Sequence, residues 1–337
     1  MTKLPPPAPV AELAGIDAAT FHSAVRTARQ PAVFRGLLAD WPVVIAGKDG
    51  DAALVDYLVG CGTTRPVSGL SAPAEIGGRF FYNDQLTGFN FTKHEGRLEA
   101  FLASLLELSG TDAPPAMAVQ SEIIPDLSPA LAEQNRFDWL PGVVPRIWIG
   151  NRIQVAAHYD LKENMACCVA GSRRFTLFPP EQIANLYAGP FELTPAGTPV
   201  SMVDFSNPDL VRYPRFTQAW AEAQRVTLEP GDVLYIPYCW WHGVDSLDPL
   251  NVLINYWWSQ EPEGIAGAYD ALLHAMLAYR HLPVNERAVW RTMLDHYVFE
   301  ANGDPAEHLP AHARGIMGPA SPQLFSRMRA MLRQIIG

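Results

Sequence analysis

The chain has 337 residues, 48% of them hydrophobic and 18% charged, with 25 Lys plus Arg against 35 Asp plus Glu. That composition belongs to a globular protein and excludes a disordered one. A net charge of −10 with no basic block argues against nucleic acid or an anionic membrane as a partner, and no apolar run approaches the roughly 20 residues that cross a bilayer.

The N-terminal stretch MTKLPPPAPVAELAG has no continuous apolar core of the kind a signal peptide carries, so a cytoplasmic location is expected. Cys61, Cys167, Cys168 and Cys239 show no CxxC spacing and read as free thiols in a reducing compartment. Asp17 followed by AATFHSAVRTAR predicts an N-capped helix with Phe21, Val25 and Ala28 on one face. QPAVFRGLLADWPVV reads as a short strand, a turn and a structural tryptophan, Trp41. GGRFFYNDQLTGFNF has turn residues between short strands, and Arg97 to Leu108 reads as a helix.

From about Ala116 to about Gln260 short apolar or alternating runs recur, punctuated by Gly, Pro, Asp and Asn. This is the signature of an antiparallel sandwich or small barrel. Beyond Glu263 the pattern turns helical, and Leu324, Met328, Met331, Leu332 and Ile335 form a stripe of period 3.6. Such a tail either packs onto the β domain or dimerises; its number of apolar residues favours a homodimer. The expected organisation is an N-terminal extension over 1–115 that packs on the barrel, a β domain over 116–260 and a helical region over 261–337.

The chemistry concentrates in HYDLKENMACCVAGSRRFTLFPP, which begins at His158. A strand has period 2, so His158 and Asp160 project from one face. Alone, an HxD pair is more often a strand-edge surface feature than a metal site. His242 is the best candidate for a distant third ligand: in EPGDVLYIPYCWWH the Pro230-Gly231-Asp232 turn precedes a strand, and Pro237 ends regular pairing just before the histidine. Two imidazoles and one carboxylate with the opposite positions open are the ligands of non-haem Fe(II) oxygenases. His22, His94, His274, His281, His296, His308 and His312 lie in contexts without a carboxylate partner at strand spacing and read as solvated or packed.

WIGNRIQVAAHYD, GSRRFTLFPP, LEPGDVLYIPYCWWHGV and INYWW together resemble the cupin-like JmjC (cupin-8) group of Fe(II)/2-oxoglutarate oxygenases. They are similar in particular to the asparaginyl hydroxylase that inhibits hypoxia-inducible factor and to bacterial cupin-8 relatives. RQPAVFRGLLADWP and RFFYNDQLTGFNF extend the likeness, in order, over most of residues 18 to 260. The resemblance implies a mainly β fold with helices, built on a double-stranded β-helix of the jelly-roll or cupin type. It implies iron at His158, Asp160 and His242, with 2-oxoglutarate as co-substrate.

In the family register Arg173 stands where a lysine usually grips the far carboxylate of 2-oxoglutarate, and a guanidinium can do so bidentately. Arg174, on the other face, is expected to meet solvent or an acid. Asn164 and Asn255 fall where the family contacts the co-substrate, and read equally as core amides. Ala118 and Val155 replace a tyrosine and a threonine of the hydroxylase relative, which leaves the anchor more dependent on Arg173. The implied reaction is oxidation of a substrate, most plausibly a protein or peptide side chain, as 2-oxoglutarate becomes succinate and CO2. No catalytic acid or base beyond the metal ligands is expected.

Tyr82, Asn83, Asp84, Tyr238, Trp240 and Trp241 lie in segments suited to edging the barrel mouth and binding that substrate, though tryptophans at strand ends are more often structural. The insertion FELTPAGTPVSMVDFSNPDLVRYPRF has the length of a lid or substrate platform. Two other readings remain: a metal-dependent cupin enzyme acting on a small molecule without 2-oxoglutarate, and a non-catalytic regulatory protein on the same scaffold.

Overall fold

A computed structural model describes residues 4–262 and 265–336, which fall in two compact units, Met1–Trp258 and Ser259–Gly337. In the first unit, β1 (Ala8–Pro9), β2 (Ala11–Glu12) and β3 (Ala32–Phe34) are short strands, followed by β4 (Val67–Ala72), β5 (Arg79–Phe80), β6 (Thr92–Gly96) and β7 (Ala116–Ile123). Eight strands follow, with the long Pro-rich insertion between the fourth and fifth of them: β8 (Pro145–Gly150), β9 (Gln154–Tyr159), β10 (Glu163–Ala170), β11 (Arg173–Phe178), β12 (Gln224–Leu228), β13 (Val233–Ile236), β14 (Trp241–Ser246) and β15 (Asn251–Trp258).

These strands deal themselves into two facing sheets, one of six strands in the order β1-β12-β11-β14-β9-β5 and one of nine in the order β2-β3-β13-β10-β15-β8-β7-β4-β6. The β8–β15 run passes from sheet to sheet, which is the jelly-roll, double-stranded β-helix arrangement implied by the resemblance. Period 2 sorts the side chains. Ala166, Cys168, Phe175, Leu177, Val226, Leu228, Leu234 and Leu253 fill the space between the sheets. The alternate residues of the larger sheet, among them Ile147, Ile149, Met165, Cys167, Val252 and Ile254, pack outward. Adjacent Cys167 and Cys168 thus join different cores, and all four cysteines are free.

The outer face of the larger sheet is covered by the N-terminal segment. Asp17 accepts from the Thr20 backbone N–H at 2.8 Å, as an N-cap does, and Phe21 is wholly buried against Phe34, Trp139 and Tyr235. The predicted single helix is a turn of α-helix over Ala18–Thr20 that continues as a π-helix over Phe21–Val25. Helices Pro42–Lys48, Asp51–Gly60 and Leu98–Leu108 add Val43, Val44, Leu54, Leu58, Leu102 and Leu105 to the same core. Trp41 is buried there, with its indole N–H on the Arg136 carbonyl at 3.0 Å.

The expected Pro-Gly-Asp turn is built around a buried carboxylate. Asp232 accepts from the backbone N–H groups of Glu229 and Gly36 and pairs with Arg35 at 2.7 Å. The Pro-rich insertion is pinned at its centre. Ser201 N–H donates to the Ala157 carbonyl and the Thr198 hydroxyl to that of Tyr159, while Val203, Phe205 and Phe216 pack with Phe178 and Trp241 on the outer face of the smaller sheet. This part of the chain is a cover for that sheet.

The second unit holds helices Ala268–Tyr279, Val284–Tyr297 and Pro322–Ile336. Among the described residues no helix is long and apolar enough to cross a membrane.

Gly171, in the turn from β10 to β11, has φ 65° and no room for a side chain: a Cβ would stand 2.5 Å from both the Leu250 carbonyl and Asn251 Oδ1. Gly171→Ala is therefore expected to destabilise the protein by about 2–4 kcal/mol, read as a lower urea midpoint at unchanged m-value.

Candidate metal centre

β9 and β14 pair so that His158 lies directly across from His242 and Tyr159 across from Trp241. The histidines face the barrel interior. The Tyr159–Trp241 pair faces outward, the two rings packed at a tilt of 59° with 4.8 Å between centroids. Past this point the register shifts, so that Val155 opposes Val244 and Gln154 opposes Asp245. β13 stops at Ile236, as Pro237 requires. The corner that follows is tied to the opposite loop: Cys239, at φ 60°, donates its N–H to the Asp160 backbone carbonyl at 3.1 Å. That tie places Asp160 beside His242.

The result is a cluster in which one ligand atom each from His158, Asp160 and His242 lies within 4.8 Å of the others. The imidazole centroids are 4.4 Å apart and His242 Nε2 is 3.5 Å from Asp160 Oδ2. Each histidine is oriented by its own strand: His158 Nδ1 is 3.0 Å from the Ala156 carbonyl and His242 Nδ1 is 3.0 Å from that of Trp240. A carbonyl can only accept, so both Nδ1 atoms carry the proton and both Nε2 lone pairs point at the shared space.

The carboxylate is oriented as firmly. Asp160 Oδ2 accepts from the Trp257 indole N–H at 2.9 Å and from the Asn164 amide at 3.2 Å. Asn164 in turn accepts from Asn255 at 3.2 Å, and Asn255 from the Trp148 indole at 2.8 Å. A divalent cation fits this donor set: two neutral nitrogens, one carboxylate held by neighbours, and space left on the other side.

Burial and the neighbouring His242 push the His158 pKa down to about 4, against the partial relief given by Asp160. The imidazole is therefore neutral, and ready to ligate, throughout the physiological range.

Deeper in the same interior lies Arg173. It is buried, its Nη2 is 3.5 Å from the Trp148 carbonyl, and its Nε has no hydrogen-bond partner. Burial lowers its pKa to about 10, so it remains charged at neutral pH. Among the described residues no carboxylate lies within 4.0 Å of it. Arg174, one residue on, points outward and pairs with Asp245 at 2.9 Å.

The six residues named for the metal and co-substrate thus share one interior. The candidate substrate residues scatter. Tyr82 is buried with its hydroxyl on the Leu193 carbonyl, and Asn83 closes its own turn through Thr87. Trp241 is buried on the outward face, opposite in sense to His242, because consecutive residues of a strand point to opposite sides. Trp240 is buried among the apolar residues between the sheets, and Tyr238 is exposed in the corner beside Cys239. Trp148 and Trp257 were absent from the sequence reading. A count of two from Asn255 reaches Trp257, and Trp148 alternates with outward Ile147 and Ile149, so period 2 held that information.

A metal-free protein whose His158 stays neutral when folded takes up a proton on unfolding between pH 6.5 and about 4. Its stability is expected to fall as the pH drops through that window and to level off below it. His158→Asn should flatten the decline when urea midpoints of the metal-free proteins are compared across the range.

Comparison with known proteins agrees with this geometry. Residues 18–264 match the family profile described as a cupin-like domain. Human HSPB1-associated protein 1 is 37% identical over 149 residues, 42% of this chain and 30% of that protein. The lysine-specific demethylase JMJ31 of Arabidopsis thaliana is 38% identical over 103 residues, 31% of this chain and 18% of that protein. Human tRNA wybutosine-synthesizing protein 5 is 36% identical over 110 residues, 33% and 32% of the two chains. The chain therefore spans about a third or less of the length of these relatives. JmjC-type cupins are typically oxygenases and generally use Fe(II) and 2-oxoglutarate. With a matched segment covering most of its length and a His-Asp-His cluster inside a jelly roll, this chain belongs to the cupin-like (cupin-8, JmjC-type) family.

Proposed function

We propose that the protein is an Fe(II)- and 2-oxoglutarate-dependent oxygenase that hydroxylates a side chain of a protein or peptide. The balance is one substrate C–H, one O2 and one 2-oxoglutarate converted to the alcohol, succinate and CO2. Arg173 carries the reading: a buried guanidinium without an acid, on the face that also bears the His-Asp-His cluster.

An uncompensated buried charge is expensive, and a ligand carboxylate is the group that would relieve it. Arg173 and Leu177 lie on the same inward face of β11, and Leu177 is the cross-strand neighbour of His242. Four residues of strand span roughly 13 Å, a gap that the arginine side chain and a five-carbon diacid divide between them.

Iron bound by His158, Asp160 and His242 would supply O2 activation and chelation of the keto acid. The chain's own residues then bind, orient and exclude water. Arg173 holds the far carboxylate, Asn164 and Trp257 keep Asp160 turned to the cation, and Asn164 and Asn255 offer amide groups to the co-substrate. Ala166, Phe175, Leu177 and Leu234 keep the interior apolar.

The relatives are an HSPB1-associated protein, a lysine-specific demethylase and a tRNA wybutosine-synthesizing protein, so together they point to no single substrate. The net charge of −10 supports a protein or peptide over nucleic acid here. Free thiols support a reducing, cytoplasmic setting.

Iron-dependent succinate release from 2-oxoglutarate, stimulated by substrate, is expected. Asp160→Ala should abolish it, and Arg173→Gln should weaken 2-oxoglutarate binding about 100-fold. Metal-dependent turnover that ignores Arg173→Gln would instead support a cupin enzyme that does not use the keto acid. Failure to bind either Fe(II) or 2-oxoglutarate by calorimetry would support a non-catalytic scaffold.

We also propose a homodimer formed through the C-terminal helices, which expose Leu277 (78%), Trp290 (43%) and Ile335 (75%). Leu277→Glu combined with Trp290→Glu is expected to give a monomer by light scattering with little change in the urea midpoint. A dimer that survives both changes excludes this interface.

A further inference from the structure

The smaller sheet has a second working surface. On its outward side lies a cavity of about 1340 Å3, floored by the strands whose inward sides carry His158 and His242. Cross-strand pairing lays out the floor in rows. Gln154, Asp245 and Arg174 form one, and Gly243, Thr176 and Arg225 the next. β5 adds Arg79 opposite Gln154, and the insertion roofs the space with residues 203–211.

Three guanidinium groups line this cavity, and they are not equivalent. Arg174 is satisfied, since its Nε and Nη2 both reach Asp245 Oδ2, at 3.0 and 2.9 Å. Arg79 lies 3.8 Å from the Phe81 ring centroid, and its Nη2 is buried without a hydrogen-bond partner. Arg225 donates through Nε to Thr176 Oγ1 at 3.1 Å and lies over the Trp220 ring at 5.0 Å. Among the described residues no carboxylate lies within 4.0 Å of Arg79 or Arg225.

The other acids of the cavity carry hydrogen bonds of their own, and Asp204 is also near enough to Arg79 to attract it. Asp204 accepts from the Ser206 N–H and hydroxyl at 2.9 and 2.6 Å, and Asp209 from the Val211 and Arg212 N–H groups at 3.1 and 3.0 Å. Arg79 and Arg225 thus line the same cavity with no acid at ion-pair distance.

A buried donor left unmade costs stability, and the fork of an arginine matches carboxylate and phosphate oxygens two at a time. Four inter-strand steps separate β5 from β12, roughly 19 Å between Cα positions at the ordinary sheet spacing. The two side chains close part of that distance from either end and leave room for an elongated ligand. Phe205 and Trp220, also in the lining, provide an apolar surface between the charged ends.

We propose that this cavity is a second ligand site, separate from the metal centre, for an elongated small molecule with an anionic group at each end, carboxylate or phosphate, one held by Arg225 and the other by Arg79. The site is independent of the oxygenase reading, because Arg79, Thr176 and Arg225 lie on the outward side of the smaller sheet, away from His158 and His242.

The test is calorimetric titration of the metal-free full chain with pimelate for the dicarboxylate arm and inorganic pyrophosphate for the phosphate arm, at constant ionic strength. Saturable binding of at least one probe is expected, and the arm that binds identifies the chemistry. Arg79→Gln and Arg225→Gln should each weaken it by at least about tenfold, while Arg173→Gln leaves it unchanged. Arg225→Lys keeps the charge, removes the fork and should lose most of the same affinity, so the outcome stands even if one glutamine variant folds poorly. No saturable binding of either probe, binding indifferent to both glutamine variants, or binding lost on Arg173→Gln would each overturn the proposal.

Discussion

The pairing of His158 with His242 across β9 and β14 is the constraint on which the rest of the molecule depends. A strand has two faces, and a slip of one residue would send both imidazoles to the outer side, where Tyr159 and Trp241 now pack. The register is held from both faces at once. Outside, the insertion bonds to the Ala157 and Tyr159 carbonyls and buries Phe178 and Trp241; inside, Leu177 and Phe175 fill the barrel. The Cys239 corner then brings Asp160 to the histidines through a single backbone hydrogen bond. The cation site is thus a consequence of sheet packing, with little left to side-chain freedom.

The same alternation gives the barrel a polar lane in an otherwise apolar interior. Trp148, Asn255, Asn164 and Asp160 are joined in one hydrogen-bonded series, with Trp257 closing on the carboxylate. Each member but the last acceptor is neutral and satisfied, which a low-dielectric interior tolerates. Arg173 is the exception, a full charge in a place that supplies only a carbonyl at 3.5 Å. In a structure that satisfies most buried polar groups, this imbalance is what supports the proposed carboxylate ligand.

Much of this was open to inspection in the sequence, for a physical reason. Period 2 relates residues within one strand, so the shared face of His158 and Asp160, the opposite faces of Cys167 and Cys168, and the different fates of Arg173 and Arg174 could all be counted off. Pro237 gave the end of β13. What lies between strands was harder. Trp241 and Tyr82 suggested a substrate-binding rim but are core residues, because an indole or phenol ring reads alike in either setting. The insertion suggested a lid, and its centre proved to be a cover for the outer face of the smaller sheet, since its Val203, Phe205 and Phe216 are apolar for packing. The helices Pro42–Lys48 and Asp51–Gly60 passed unread, their apolar runs being too short for periodicity to separate helix from strand.

If His158, Asp160 and His242 bind one cation with neighbouring positions open, titration of the metal-free protein with Co(II), followed by X-ray absorption of the complex, will reveal it. One equivalent is expected to bind through two imidazole nitrogens and one carboxylate, with exchangeable oxygen ligands completing the coordination. A cobalt complex that keeps its stoichiometry and imidazole signature in a His158→Ala, His242→Ala double variant would contradict it.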